Sequence, residues 1–244
     1  MIACLITHHE SAFWLVSSAQ KLAEQFDKEL CVISTNNQSI PSIQKKFDAI
    51  RILNFDSSTT LEAFCDFHAI SFLFVQILEN KRKNILHGLR DCRQLRIPYL
   101  LYKASYKLMQ FDKLVVPVTF LEEETEKAQF AAAFGRFAHS SIVLLQANDY
   151  GTKAATNSQR IHEFLLKFDL KIEKIKATND SFKVNYEAVS NAKQVNGGLL
   201  IITASREYGL DDIIFGPQEF HLIRKSTLPL LLINPRSDLY ALCD

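Results

Sequence analysis

Lys113-Leu114-Val115-Val116-Pro117-Val118-Thr119-Phe120, running into Leu121-Glu122-Glu123-Glu124 and an alanine-rich stretch, is the segment whose reading decides the fold. Leu114 to Val118 is apolar throughout, the pattern of a strand covered on both faces. Glu122 to Ala138 reads as a helix, opened by acidic residues that suit its positive end. A buried strand feeding directly into a helix begins a βαβ unit of a parallel sheet. Toward the C-terminus, Ile142 to Gln146, Ile172 to Ala177, Leu199 to Thr203 and Leu228 to Ile233 read as four more strands. Helices are expected between them at about Asn157 to Phe168, Val184 to Gln194 and Gln218 to Lys225, with Gly197-Gly198 as a helix stop signal.

The same series precedes Lys113. Ile2 to Ile6, Leu30 to Ser34, Ile50 to Phe55, Ser71 to Ile77 and Ile97 to Tyr102 read as strands. Ser11 to Phe26, Thr59 to His68 and Asn84 to Leu95 read as helices. Between the second and third strands lie a polar loop, Thr35 to Ser42, and a short basic piece around Lys45 and Lys46, so a helix is expected to be cut down there. Arg96-Ile97-Pro98-Tyr99-Leu100-Leu101 answers to Thr227-Leu228-Pro229-Leu230-Leu231-Leu232, each with a proline near the start of the last apolar run. Proline lacks a ladder donor and belongs at a strand's first residues. Its recurrence in the same element argues for duplication. The expected class is α/β, two tandem doubly wound parallel five-stranded sheets, with a shortened first domain over 1–104, a second over 112–236 and a join near Ala104 to Asp112.

Composition narrows the function classes. The chain has 244 residues, a formal charge of +1, 48% hydrophobic and 23% charged residues. This excludes a disordered chain and leaves no field to attract nucleic acid or an acidic membrane. Seven glycines are under half of the roughly 7% average usage, which argues against glycine-rich phosphate loops. Cys4, Cys31, Cys65, Cys92 and Cys243 form no CxxC pair and read as reduced thiols in a reducing compartment. With no targeting signal and no apolar run of membrane length, a cytoplasmic location is expected.

Five strands alternating with helices, twice over, together with Lys113 to Phe120 and the unit from Leu199 to Asn234, resemble the universal stress protein family in its tandem form. The resemblance implies an adenine nucleotide alpha hydrolase-like, flavodoxin-like three-layer sandwich with strand order 3-2-1-4-5. It also implies dimerisation through the fifth strand, which a tandem chain would satisfy as an internal pseudo-dimer, with a homodimer also open. Nucleotide-binding members resemble one another in a G-x2-G-x9-G-[ST] loop after strand four. Here Gly216 fits the last glycine, but Thr203 and Arg206 stand at the other two and Pro217 replaces the hydroxyl residue. A Cβ obstructs close backbone approach, and proline removes an amide donor. Asp211 and Asp212 add negative charge to the same loop. In the first half the loop shrinks to Glu79-Asn80-Lys81-Arg82-Lys83-Asn84, with Ile85 at the last glycine. The family's base-contacting aspartate corresponds to Thr7 and Thr119. ATP and AMP are therefore disfavoured and no cofactor or metal is expected. Thr119, Thr203, Arg206, Gly216 and Gln218 remain the candidates should a ligand bind.

Other features read more simply. His8-His9-Glu10 is a polar loop and helix start, since adjacent histidines do not share a helix face for a metal. Lys81-Arg82-Lys83 is a solvated cationic turn without the interleaved aromatics of a nucleic-acid site. Arg206 is expected to pair with Glu207 or Asp211, or with a phosphate. Ser11, Ser205 and Ser226 lack a nucleophile elbow. Phe13, Trp14, Phe64, Phe67, Phe72 and Phe74 are expected in the core, and His139, His162 and His221 on helices facing solvent. Asn148 to Asn157 reads as a polar loop. The expected function is that of a non-catalytic stress-response adaptor acting through contacts with other proteins, without ATP. The alternative is a regulatory protein holding a nucleotide or small anion in its second half.

Overall fold

The computed structural model describes residues 1–8, 12–35, 45, 47, 50–56, 58–192, 194, 196–205 and 208–236. His9, Glu10, Ser11, Lys46, Arg206, Glu207 and Cys243 lie outside them, as does most of the piece between the second and third strands. The chain forms two compact units, Met1–Met109 and Gln110–Asp244. In the first, strands β1 (Ile2–Ile6), β2 (Leu30–Ser34), β3 (Arg51–Asn54), β4 (Phe72–Ile77) and β5 (Tyr99–Lys103) alternate with helices α1 (Phe13–Gln25), α2 (Leu61–Phe67) and α3 (Arg82–Cys92). In the second, β6 (Lys113–Val118), β7 (Ser141–Gln146), β8 (Ile172–Lys176), β9 (Leu199–Thr203) and β10 (Leu230–Ile233) alternate with α4 (Lys127–Phe137), α5 (Lys153–Leu166), α6 (Val184–Asn191), α7 (Leu210–Phe215) and α8 (Gln218–Lys225). A 3-10 turn, Glu122–Glu126, leads into α4.

Pairing is parallel in both units, with strand order β3-β2-β1-β4-β5 in the first and its equivalent, β8-β7-β6-β9-β10, in the second. The central strands are apolar because helices cover both faces, whereas edge strand β8 reads Ile-Glu-Lys-Ile-Lys and leaves its charges in water. Pro98 and Pro229 sit just before β5 and β10. Each has its carbonyl as acceptor of the neighbouring strand's first ladder bond, from Leu73 and Leu200 N–H respectively. A residue that cannot donate has been placed where only its acceptor is used.

Scarcity of glycine shapes the turns from helix to strand. Asp27, Ala69, His139, Asp169 and Asn196 all adopt positive φ, between 49° and 55°, each after a helical segment and before a strand. That conformation is ordinarily left to glycine at a helix C-terminus. His139 is thus past the end of α4, not on a helix. Gly197-Gly198 does not stop a helix by its own geometry, because α6 ends at Asn191 and Asn196 is the left-handed residue. The second glycine serves a close approach: a Cβ there would lie 2.3 Å from the Gln110 carbonyl oxygen. At Ala69 a methyl is carried where none is favoured, so Ala69→Gly should raise the unfolding free energy of the first unit by about 0.5–1 kcal/mol. Urea titration followed by fluorescence of Trp14, the sole tryptophan, measures this; no gain would contradict it.

Several boundaries differ from the sequence reading. α5 begins at Lys153, so Asn157 and Ser158 are buried helix residues and the polar loop ends earlier. Asn157, expected at the helix start, lies inside it, and its side-chain amide donates to the Thr119 and Leu121 carbonyls, at 3.1 and 2.7 Å. Helix α7 was not expected, and Asp212 caps it by accepting from Gly209 N–H at 2.9 Å. Phe64, Phe72 and Phe74 are core, but Phe13, Trp14 and Phe67 are substantially exposed. The first two sit in the opening turn of α1 and stack on each other at 5.0 Å; Phe67 ends α2 and stacks on His68 at 4.9 Å. His162 and His221 are half-buried on α5 and α8.

Candidate functional site

Parallel strands send alternate residues' N–H and C=O to opposite neighbours. In β6 the odd-numbered residues face β9, since Gly198 N–H donates to the Lys113 carbonyl. The β6–β9 register runs only over Leu114↔Leu199 and Val115↔Leu200. Pro117, next in line to face β9, has no N–H to give. The two strands part there, and between their C-terminal ends lies a cleft of about 370 Å³.

Side chains take up the backbone groups that the ended ladder would have paired. Lys127 Nζ donates to the Pro117 carbonyl at 2.7 Å and to Glu124 Oε2 at 2.9 Å. Glu124 Oε2 also accepts from Thr119 N–H at 2.9 Å. Lys127 is fully buried and Glu124 is 2% exposed. Burial pulls the Lys127 ammonium below the usual lysine range, and the adjacent Glu124 carboxylate opposes that fall. An ammonium for the carbonyl and a carboxylate for the amide form a substitute rung. The first unit solves the same problem with one neutral group. After β1, Thr7 and His8 N–H both donate to Gln76 Oε1, at 3.0 and 2.8 Å, and Gln76 Nε2 donates to the His8 carbonyl at 2.7 Å.

The turn after β9 is also engaged from within. Glu219, in the first turn of α8 and 2% exposed, accepts from Ser205 Oγ at 2.9 Å, from Tyr208 Oη at 3.1 Å and from Ser205 N–H at 3.4 Å. A carboxylate at a helix N-terminus, surrounded by hydroxyl and amide donors, sits as a bound anion would. Gly216, with φ of 93°, ends α7; a Cβ there would lie 2.7 Å from the Phe220 ring.

Of the candidate residues, Thr119, Thr203 and Gln218 line the one cleft. Gly216 is buried behind α8's first turn and is not among the lining residues. Arg206 lies outside the described residues. His8 is exposed and engaged through its backbone. Lys81 makes an exposed ion pair with Glu79 at 2.7 Å at the start of α3, as a solvated turn would. Ser226 Oγ is bound to the Leu228 carbonyl at 2.7 Å. Among the described residues no cluster of three or more metal-ligating side chains occurs. Sequence reading missed Glu124, Lys127, Asn185 and Glu219. The legible signal was Lys127 itself, a lysine on the apolar face of an otherwise alanine- and phenylalanine-rich helix.

No protein-family model matches the chain, and no curated protein matches it in sequence. Among solved structures it is similar to a universal stress protein from Archaeoglobus fulgidus, at 14% identity and TM-score 0.68, over 97% of each chain. It is similar also to a functionally unknown protein from Pseudomonas aeruginosa, at 9% identity and TM-score 0.59, over 96% of this chain and 92% of that one. The chain therefore shares the fold of these structures over nearly all of its length. No helix of the described residues is long and apolar enough to cross a membrane.

Proposed function

We propose that the chain is a non-enzymatic member of the universal stress protein family that works in the cytoplasm through contacts with other proteins, without bound ATP. The observation that carries this reading is the occupation of the strand-end donors by the chain's own side chains: Gln76 in the first unit, and Glu124 and Glu219 in the second. A phosphate would have to displace buried carboxylates that already hold the amides and hydroxyls it needs. The thiols of Cys4, Cys31, Cys65 and Cys92 are pushed up by burial, which withholds the nucleophilic thiolate. A surface for protein contact is offered by α7, where Leu210, Ile213, Ile214 and Phe215 are all more than half exposed.

Calorimetric titration with ATP, AMP and cyclic AMP should release no heat of binding, and protein purified from cells should show no excess absorbance at 260 nm. Stoichiometric copurifying nucleotide would overturn the reading. A nucleotide response abolished by Arg206→Ala would instead favour the alternative of an anion held beside Gly216.

A further inference from the structure

The cleft between the ends of β6 and β9 has polar groups left over after its internal bonds are made. Asn185, 5% exposed on α6, donates from Nδ2 to Gln218 Oε1 at 3.0 Å, while its own Oδ1 has no partner. Thr203 Oγ1, at the end of β9, has none either. Both residues line the cleft. Shielded polar atoms are ordinarily paired, so an amide oxygen without a donor and a hydroxyl without any partner in one small recess point to a ligand that both donates and accepts. At the mouth the lining is apolar, with Phe120 and Phe182 packed edge to face at 5.6 Å. Glu123 and Glu124 also line the cleft, and no basic residue does among those described.

We propose that this cleft binds a small uncharged ligand that pairs an aromatic ring with an N–H donor, such as an aromatic carboxamide, and discriminates against anions of the same shape. The ring would lie on Phe120 and Phe182, the N–H would meet Asn185 Oδ1, and the carbonyl would accept from the Thr203 hydroxyl. A carboxylate or phosphate in that place could accept from the Thr203 hydroxyl but has no proton to offer Asn185 Oδ1, and it would approach the Glu123 carboxylate. This goes beyond the reading of the chain as an adaptor and does not depend on it.

The test is a ligand-observed NMR titration of the full chain with benzamide, benzoate and phenyl phosphate. Benzamide should saturate at concentrations on the order of millimolar, as suits so few atoms, and the two anions should bind at least about tenfold more weakly. Thr203→Val keeps the side chain's shape and removes only the hydroxyl; it should weaken benzamide about fivefold. Asn185→Leu should weaken it as much or more, and because it also breaks the Gln218 bond, Thr203→Val is the deciding variant. Absence of saturation by benzamide, equal binding of benzoate or phenyl phosphate, or an unchanged benzamide affinity in Thr203→Val would each overturn the proposal.

Discussion

Lys127→Ala should destabilise the second unit by about 3–5 kcal/mol, one of the largest effects of any single substitution in this chain. The lysine is fully buried, so its removal strands the Glu124 carboxylate without its counter-charge and leaves the Pro117 carbonyl without a donor. The loss is larger than the worth of the pair, because the partner left behind cannot reach water. Replacing both charges together, Glu124→Gln with Lys127→Met, should cost far less. A glutamine carbonyl can still accept from Thr119 N–H and the methionine fills the lysine's volume, so only the Pro117 carbonyl loses its donor and no charge is stranded. Urea denaturation followed by circular dichroism compares the three proteins. Near-equal midpoints for Lys127→Ala and the unsubstituted chain would show that the buried pair does not hold β6 as described.

The second large effect is alkaline loss of the first unit. Burial pushes the Cys31 thiol up to about 11 and the Cys65 thiol up to about 12, and raises Cys4 and Cys92 well above the ordinary thiol value of 9.0. Burial likewise pushes Tyr102 up to about 12 and Tyr106 further. Below pH 9 each thiol keeps its proton in both folded and unfolded chains, and their stabilising contribution is fully present. Above it the unfolded chain releases protons that the folded one retains. Stability is then lost as pH rises toward the folded values, by up to about 1.4 kcal/mol per pH unit for each thiol. With four thiols the first unit should lose several kcal/mol between pH 9 and 10.5. Trp14 lies in this unit, so its fluorescence during melting under reducing conditions reads the effect. A melting temperature that stays level across that range would contradict the assignment. The second unit contains no cysteine among its described residues, and Lys127, with its value lowered, contributes in the opposite direction.

The parallel architecture was legible because covered strands must be apolar on both faces, as Leu199 to Thr203 and Phe72 to Ile77 are. Pro98 and Pro229 betrayed the repeat because their shared lack of a donor confines them to one position in each copy. Legibility failed where a residue's role depended on a distant neighbour. Phe13 and Phe67 have apolar side chains, yet they fall at helix ends that the sheet does not cover. Asn157 reads as the start of a helix and lies instead a turn inside it, satisfying carbonyls thirty-six and thirty-eight positions away. The site was legible in part for the same reason. The family resemblance pointed to Thr119, Thr203 and Gln218, which fall at strand ends and a helix start beside the cleft. Nothing in local pattern could say that Glu124 would turn back onto Thr119, or that Glu219 would gather Ser205 and Tyr208. Helix α7 escaped notice because six residues carry no detectable period.

Pro117 has one more consequence. Where two strands part because a bond was merely not made, thermal motion can zip them together again. Here the nitrogen that would continue the seam is locked in a ring, so the gap is written into covalent structure. The recess therefore stands open before any visitor arrives. Its entry should need no slow gating step, and encounter rates should track diffusion and fit alone.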